Sequence, residues 1–256
     1  QPWVETDPTG PLGVYGASVV TAVTAQNTRA VTAIETVSAR LVRAQIAAVL
    51  DDLAVGAIKI GMLGDPQVIR AVAEGLRGCA LPVVLDPVMV ATSGDRLIAQ
   101  ETVGVLVSEL FPLAEVITPN LDEAGWLLGR SLQDADALEA AAQDLRALGA
   151  QAVLLKGGHL PGDWVVDVLS MPGAPQAHKL QSPRIATHNG HGTGCTLSSA
   201  IAAHLALGLP LQQAVEQARS YILGAIAAGA DVTTGRGHGP LNHGYAPIAQ
   251  RVFENS

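Results

Sequence analysis

The segment Thr187-His188-Asn189-Gly190-His191-Gly192-Thr193-Gly194-Cys195-Thr196 runs directly into an apolar, alanine-rich stretch at residues 197–207. This order predicts a small-residue loop that opens onto the N-terminus of a helix. The glycines allow the backbone to approach a ligand closely, and the first helical N–H groups point outward with the positive end of the helix dipole. The segment therefore indicates an anion site, most often for phosphate. Similar segments also serve packing or capping alone, so the rest of the chain has to decide between the two uses.

Cys195 lies within this segment, near the expected start of the helix, where the helix dipole favours a thiolate. The other cysteine of the chain is Cys79, and no CxxC spacing occurs. This pattern predicts neither a disulfide framework nor a zinc site. We therefore expect a protein of the reducing cytoplasm.

Strand-like and helix-like segments alternate along the rest of the chain. Strands are predicted at residues 14–24, 57–61, 82–87, 116–120 and 152–158. Helices are predicted at residues 38–50, 65–76, 101–111, 135–148, 197–207 and 211–229, and an edge hairpin within 163–176. This rhythm is typical of βαβ units. It predicts an α/β fold with an open, mostly parallel central sheet and helices on both faces, in a single domain over residues 1–256.

The composition supports this fold class and narrows the range of partners. The chain is 48% hydrophobic and only 3% aromatic, which suits parallel strands buried beneath helices. The net charge of −8 and the lack of any lysine or arginine run argue against a nucleic-acid partner. No apolar run reaches the roughly 18 residues of a membrane span, and the N-terminus lacks the features of a signal peptide. We therefore expect a small-molecule partner, with no nucleic acid and no membrane.

Polar residues follow several predicted strands at the point where each strand ends: Gln26, Lys59, Asp86, Asn120 and Lys156. In an open parallel sheet, ligands bind outside the carboxyl ends of the strands. Any one of these residues could simply mark a turn or cap a helix. Together they predict the rim of an active site along one edge of the sheet.

Two carboxylates are candidate metal ligands, Asp86 and Glu123. Asn120 and Glu123 also have the spacing of a capping box, in which both side chains serve only to begin a helix. The alternative is a Mg²⁺ site, because Mg²⁺ is usually held by one or two carboxylates together with substrate phosphates. Lys156 follows an apolar strand and could neutralise a nucleotide phosphate, although a lysine stem can also extend from apolar surroundings to solvent.

The segments together resemble the ribokinase superfamily and, within it, the hydroxymethylpyrimidine/phosphomethylpyrimidine kinases of thiamine biosynthesis. The resemblance is carried, in family order, by residues 13–22, 25–28, 59–63, 85–94, 117–123, 155–159 and 191–196. It implies a ribokinase-like fold and ATP-dependent phosphorylation of hydroxymethylpyrimidine and of its monophosphate, which gives the diphosphate. It also implies ATP and Mg²⁺ as cofactors and a homodimer.

The same resemblance assigns roles to individual residues. Cys195 would accept the proton of the substrate hydroxyl, which a thiolate at a helix N-terminus can do. Gly192, Thr193 and Gly194 would stabilise the charge on the transferring phosphoryl group. The remaining assignments are substrate contacts for Gln26, Met62 and Val20, nucleotide contacts for Lys156, Asn120 and Thr187, and metal contacts for Glu123 and Asp86.

The N-terminal region departs from the family pattern. Asp7-Pro8-Thr9-Gly10 resembles the start of the family's Gly-rich turn, but the rest of that turn and an acidic substrate contact do not follow. The strand expected at residues 1–6 is also atypical, so the region around 1–12 is atypical or incomplete. Two alternatives therefore stay open beside the pyrimidine kinase: a pyridoxal/pyridoxine kinase, and a non-catalytic ligand-binding relative.

Overall fold

The structure is a computed structural model that describes residues 11–89 and 98–250. Its strands are β1 (Ala22–Gln26), β2 (Val31–Thr36), β3 (Ile58–Ile60), β4 (Val83–Leu85), β5 (Val116–Ile117), β6 (Ala152–Leu155), β7 (Trp164–Ser170) and β8 (His178–Pro183). Its α-helices are α1 (Ala39–Asp52), α2 (Pro66–Leu76), α3 (Gln100–Leu110), α4 (Leu121–Leu128), α5 (Leu138–Arg146), α6 (Thr193–Ala206) and α7 (Leu211–Gly229). Strands and helices alternate from β3 to β6, as the sequence predicts.

Within the described residues, the central sheet has six strands in the order β3-β4-β5-β6-β7-β8. β3 to β6 run parallel, whereas β7 and β8 are each antiparallel to the preceding strand. The predicted mostly parallel sheet and its edge hairpin are therefore confirmed. The hairpin extends further than predicted, because Pro172 and Gly173 form its turn and β8 lies wholly beyond residue 176.

Helices cover both faces of this sheet. Successive side chains of a strand point to opposite faces, so neighbouring residues join different cores. Val83 and Leu85 of β4 belong to a buried cluster with residues of α2, α3 and α5, whereas Val84 belongs to a second cluster with residues of α6 and α7. The sheet thus lies between two layers, and α6 is held against the face that carries Val84.

The predicted strand at 14–24 is wrong. The chain becomes a strand only at β1, which pairs antiparallel with β2 in a separate two-stranded sheet. The side-chain amide oxygen of Asn27 accepts hydrogen bonds from the N–H groups of Arg29 and Ala30 and closes the turn. The β-branched run at 19–21 placed the predicted strand too early in the chain. The alternating segment that forms β2, the partner of β1, was overlooked. Gln26 therefore ends a strand of this hairpin, not of the central sheet.

The helices follow the predicted segments, with one informative difference. Ser38 caps α1 by accepting from the Leu41 N–H, and Asp65 caps α2 in the same way. α6 begins at Thr193, whereas the sequence predicts a start at 197. The apolar run at 197 misled the prediction, because the small residues before it already form the first helical turn.

Across 11–89 and 98–250, no helix is long and apolar enough to cross a membrane. The strand expected at 1–6, the turn at 7–10 and the part of the family resemblance at 90–94 lie outside the described residues.

Candidate active site

The carboxylate of Asp86 is the point where three strand ends and a helix meet. Asp86 follows β4 and is almost fully buried. The Lys156 ammonium, which follows β6, lies 2.9 Å from Oδ1 of Asp86, and the Thr118 hydroxyl, which follows β5, donates to the same oxygen at 2.9 Å. From α6, the Ser198 hydroxyl lies 3.5 Å from Oδ2. The sheet edge therefore brings Asp86 and Lys156 together.

Strand register explains this meeting. Leu85 pairs with Ile117 across β4 and β5, so Asp86 and Thr118, each one residue further along, are neighbours. The sequence prediction omitted Thr118, although two aligned strand ends would have indicated it. It also omitted Ser198, whose place one turn after the glycine-rich helix start carries no comparable signal.

The charges of this cluster stabilise one another. Burial disfavours ionisation of Asp86, but the charges of Lys156 and Lys59 and the hydrogen bonds from Lys156 and Thr118 outweigh burial, so the pKa of this carboxyl is below its usual value. Burial also disfavours the charged form of Lys156, but the charges of Asp86 and Glu123 outweigh it and raise the pKa of the lysine. Asp86 and Lys156 therefore form an ion pair at neutral pH.

Glu123 has features of both uses that the sequence leaves open, a helix capping box and a metal site. It forms the predicted capping box: its Oε2 accepts from the Asn120 N–H at 2.8 Å, and Oδ1 of Asn120 accepts from the Glu123 N–H at 2.9 Å. Glu123 is also only 2% exposed. Burial raises its pKa to about 7, with the charge of Lys156 opposing the shift and the charge of Asp86 adding to it. A cation beside Glu123 would offset the free-energy cost of ionising this buried carboxyl.

The residues present fit a Mg²⁺ ion. Asp86 and Glu123 offer hard carboxylate oxygens, and Asp86 is near enough for its charge to raise the pKa of Glu123. A site with so few protein ligands suits Mg²⁺ only if phosphate oxygens and waters complete the shell. Such an ion would neutralise phosphate charge in the cleft.

The N-terminus of α6 points into the same site. Gly192 is its N-cap, with a left-handed φ of 84°, and the first helical hydrogen bond runs from the Thr196 N–H to the Gly192 carbonyl at 2.8 Å. The N–H groups of the first helical turn precede this bond and lie at the positive end of the helix dipole. Cys195 therefore lies in the first helical turn, and its charge also favours the ammonium form of Lys156.

A glycine is required in this turn for steric reasons. A Cβ on Gly194 would lie 3.0 Å from Nζ of Lys156 and 3.5 Å from Oδ2 of Asp86. The missing side chain lets the ion pair approach the helix N-terminus directly. Lysine, carboxylate and outward-pointing amides thus lie around one small space, which suits a phosphate group.

The predicted substrate contacts line the same large cleft as the start of α6. A cavity of about 2140 Å³ is lined by Gln26, Met62 and Val20 together with Cys195 and Lys156. This volume exceeds the range of roughly 300–1,000 Å³ that one small ligand needs, so two ligands could lie side by side. The structure thus places the three residues in the same cleft as the helix start.

His191 contacts Gln26 within this cleft and was not among the predicted site residues. Its Nε2 lies 3.5 Å from Nε2 of Gln26, and its backbone pairs with the segment at Pro240. The position of His191, just before the glycine-rich helix start, was the available sequence signal.

Thr187 and Asn120 have structural contacts in the present arrangement. The Thr187 hydroxyl donates to the Ala230 carbonyl at 3.0 Å and accepts from the Asn189 N–H at 3.0 Å. The Asn189 amide donates in turn to the Gly229 carbonyl at 2.6 Å, which fixes the loop before α6 to the end of α7. Thr187 and Asn120 both line the cleft, and their nucleotide contacts stay predictions.

An open, mostly parallel sheet with a phosphate-sized site between its strand ends and a helix N-terminus defines a ribokinase-like small-molecule kinase. The family described as phosphomethylpyrimidine kinase matches residues 9–242. The chain belongs to this family.

Individual proteins agree with this assignment. The chain is 51% identical to a hydroxymethylpyrimidine/phosphomethylpyrimidine kinase from Rhizobium meliloti, over 91% of this chain and 87% of the relative. The crystal structure of a phosphomethylpyrimidine kinase from Clostridium difficile has a TM-score of 0.74 at 37% identity and covers 86% of this chain and 90% of that chain. An ADP complex of Bacillus subtilis pyridoxal kinase has a TM-score of 0.83 at 33% identity and covers 93% and 90%.

Proposed function

We propose that this kinase transfers the γ-phosphoryl group of ATP to hydroxymethylpyrimidine and then to its monophosphate, in thiamine biosynthesis. The observation that carries the proposal is the meeting of the Asp86–Lys156 ion pair with the N-terminus of α6, where Cys195 lies in the first turn. Adenine nucleotide use is supported by the ADP complex of the structurally similar pyridoxal kinase.

Cys195 is the proposed base. As the substrate hydroxyl oxygen bonds to the γ-phosphorus, its O–H bond breaks and the proton passes to the thiolate Sγ. The bond from the γ-phosphorus to the bridging oxygen breaks, and ADP leaves with that electron pair. A helix N-terminus favours the thiolate that this step needs. A catalytic thiol is also the reason why we place the enzyme in the reducing cytoplasm.

The phosphates are proposed to lie at the start of α6. Gly192, Thr193 and Gly194 would surround the transferring group, and Lys156, whose ammonium lies beside Gly194, would supply a full positive charge. These groups are fixed before the reaction, so they can stabilise charge as it develops without reorganising. Glu123 and Asp86 would hold Mg²⁺ against the phosphates, and Asn120 and Thr187 would contact the nucleotide.

The substrate ring is proposed to lie between the hairpin and the helix start. Gln26 offers amide donors and acceptors for the ring and its amino group, while Met62 and Val20 supply apolar contacts. A hydroxymethyl group directed at Cys195 would then reach the phosphate site. After the first transfer, the same site would receive the monophosphate as acceptor.

The proposed homodimer rests on the β1–β2 hairpin. Val23 is 60% exposed and Ile34 is 45% exposed on this two-stranded sheet. An isolated two-stranded sheet is at best marginally stable in water, so a partner that covers its apolar side chains would stabilise it. A second copy of the chain is the proposed partner.

A coupled assay of ADP formation tests the proposed substrate. With Mg²⁺ and ATP, we expect turnover with hydroxymethylpyrimidine and with its monophosphate, and a much lower kcat/KM with pyridoxal. Turnover with pyridoxal alone would assign the chain the activity of its Bacillus subtilis structural neighbour instead. Nucleotide binding without turnover of any of the three acceptors would support a ligand-binding role and contradict the proposal.

A further inference from the structure

A buried ion pair lies between β7 and α7. Nε of Arg219 lies 2.9 Å from Oδ2 of Asp167, and the two side chains are only 10% and 9% exposed. The guanidinium also donates to the Val165 carbonyl at 3.2 Å and to the Ser182 hydroxyl at 3.0 Å. The guanidinium thus donates to three acceptors, the Asp167 carboxylate, the Val165 carbonyl and the Ser182 hydroxyl. Burial of this kind is costly unless the groups are well paired, as they are here.

The second oxygen of Asp167 points toward the active-site strand. Its Oδ1 accepts a hydrogen bond from the Gly157 N–H at 2.9 Å. Gly157 is the residue after Lys156, so Asp167 holds the chain immediately beyond the active-site lysine. The two oxygens of one carboxylate therefore connect Arg219 of α7 to the end of β6.

The backbone at Gly157 explains why a side chain makes this bond. The ladder between β6 and β7 pairs Leu155 with Val168, and Asp167 is the next residue of β7. At Gly157 the strands pass so closely that a Cβ would lie 1.9 Å from the Val166 carbonyl oxygen. The regular ladder ends here, and the Asp167 carboxylate takes the amide that would otherwise be buried without an acceptor.

We propose that Asp167 and Arg219 form a positioning unit for Lys156, which sets where its ammonium meets the nucleotide phosphates. The proposal rests on the nucleotide role proposed for Lys156. On the other side the lysine backbone is held by its own N–H, which donates to the Pro119 carbonyl at 2.9 Å. Because the N–H groups of Lys156 and Gly157 are both held by hydrogen bonds, the lysine side chain extends from a fixed backbone position. A misplacement of about 1 Å in a catalytic group can cost on the order of 100-fold in rate.

Asp167→Asn is the main test, because asparagine has the same shape but a single acceptor oxygen. The Arg219 guanidinium and the Gly157 amide are both donors, so one of them must face the asparagine NH₂ group. We expect the Kd for ADP, measured by titration calorimetry, to rise about 10-fold, while the KM for the pyrimidine changes by less than about twofold. Arg219→Lys keeps the charge but loses the forked geometry, and we expect a smaller rise.

Arg146→Met provides a matched control at the other end of the same strand pair. Arg146 donates to the carbonyls of Gln151 and Met171, so its loss also removes an arginine that joins β6 to β7. We expect a lower Tm but an unchanged Kd for ADP. If Asp167→Asn does not fold, Arg219→Lys is compared with Arg146→Met at equal loss of Tm. Equal ADP affinity in the two folded variants would reduce the ion pair to a structural element and overturn the proposal.

A double-mutant cycle distinguishes the positioning unit from the nucleotide role of Lys156, on which it rests. Lys156→Met is measured first, and an unchanged Kd for ADP in that variant would reject the nucleotide role of Lys156 and the positioning unit with it. If Lys156→Met weakens ADP binding, Asp167→Asn or Arg219→Lys is added to it. We expect little further loss, because the unit acts through the lysine. Fully additive losses would leave the lysine role intact and reject the positioning unit alone.

Discussion

The ammonium of Lys156 lies 3.0 Å from the point that a Cβ of residue 194 would occupy. Gly194→Ala should therefore displace the lysine while improving the intrinsic helix propensity of α6, by up to about 1 kcal/mol. We expect kcat/KM for ATP to fall about 10-fold or more while Tm does not fall, because Lys156 can move more easily than the helix. Steady-state kinetics and thermal unfolding of the same sample measure the two effects.

Gly104→Ala is the matched control for this change. Gly104 lies inside α3, and a Cβ there would meet nothing within 4 Å. We expect higher stability and unchanged kinetics. Similar kinetic losses in the two variants would show that the absence of a side chain at 194 has no particular importance for the site.

Cys195→Ala should lower kcat by about 100-fold, within the range for loss of a general base. Cys79→Ala, which changes the other cysteine far along the sequence, should leave kcat unchanged. Iodoacetamide labelling followed by mass spectrometry should modify Cys195 first, and bound substrate should slow the reaction. A Cys195→Ala variant with wild-type turnover would remove the thiol from the mechanism.

Glu123 makes stability depend on pH in the metal-free protein. Its pKa is about 7 in the folded chain against an ordinary value of 4.5, so folding favours the protonated form. The cost of ionising it is absent below pH 4.5, grows as the pH rises and is complete above pH 7. Glu123→Gln removes this cost and keeps an acceptor for the Asn120 N–H. The variant should therefore gain stability over wild type with rising pH, by up to about 3 kcal/mol.

Chemical denaturation in EDTA from pH 5 to 8 measures this gain. Added Mg²⁺ should stabilise the wild type and reduce the difference, because a bound cation compensates the carboxylate. Glu101→Gln, at an exposed carboxylate in the first turn of α3, is the control and should show no such pH trend. A constant gain at every pH would mean that Glu123 is already ionised without strain and would argue against a cation site there.

The hairpin surface can be tested in the same way. Ile34→Glu places a charge on an exposed apolar position of β2, which also lines the cleft. We expect wild type to sediment as a dimer at micromolar concentration and this variant to dissociate, because burying an unpaired carboxylate at an interface is costly. Thr32→Glu places the same charge at a polar position of β2 and is the comparison for Ile34→Glu. A monomeric wild type would contradict the proposed homodimer.

Much of this arrangement could be predicted from the sequence, because local patterns determine it. The apolar strand before Asp86 and the glycine-rich segment before Cys195 indicate a strand end and a helix start, and the order of elements implies a common edge. The capping box of Asn120 was also evident. These features depend on residues that are adjacent in the chain.

The contacts that were missed depend on residues far apart in the chain. Ser198 reaches Asp86 across 112 positions, and Arg219 reaches Asp167 across 52. No local period indicates such a contact, because it results from how α6 and α7 pack on the sheet. The hairpin was missed for a different reason: β2 carries few apolar residues and buries little, so its alternation resembled an ordinary loop.

The ion pair between Asp86 and Lys156 has a consequence for the order in which ligands bind. An anion that enters alone must compete with Asp86 for the lysine, and a cation that enters alone must compete with Lys156 for the carboxylate. When the anion and the cation enter together, the Asp86–Lys156 ion pair is broken once. The anion then pairs with Lys156 and the cation with Asp86. The free energies of the two binding events are therefore coupled, and each ligand should tighten the other's binding by the same factor. The ion pair thus discriminates against lone ions and favours a metal–nucleotide complex.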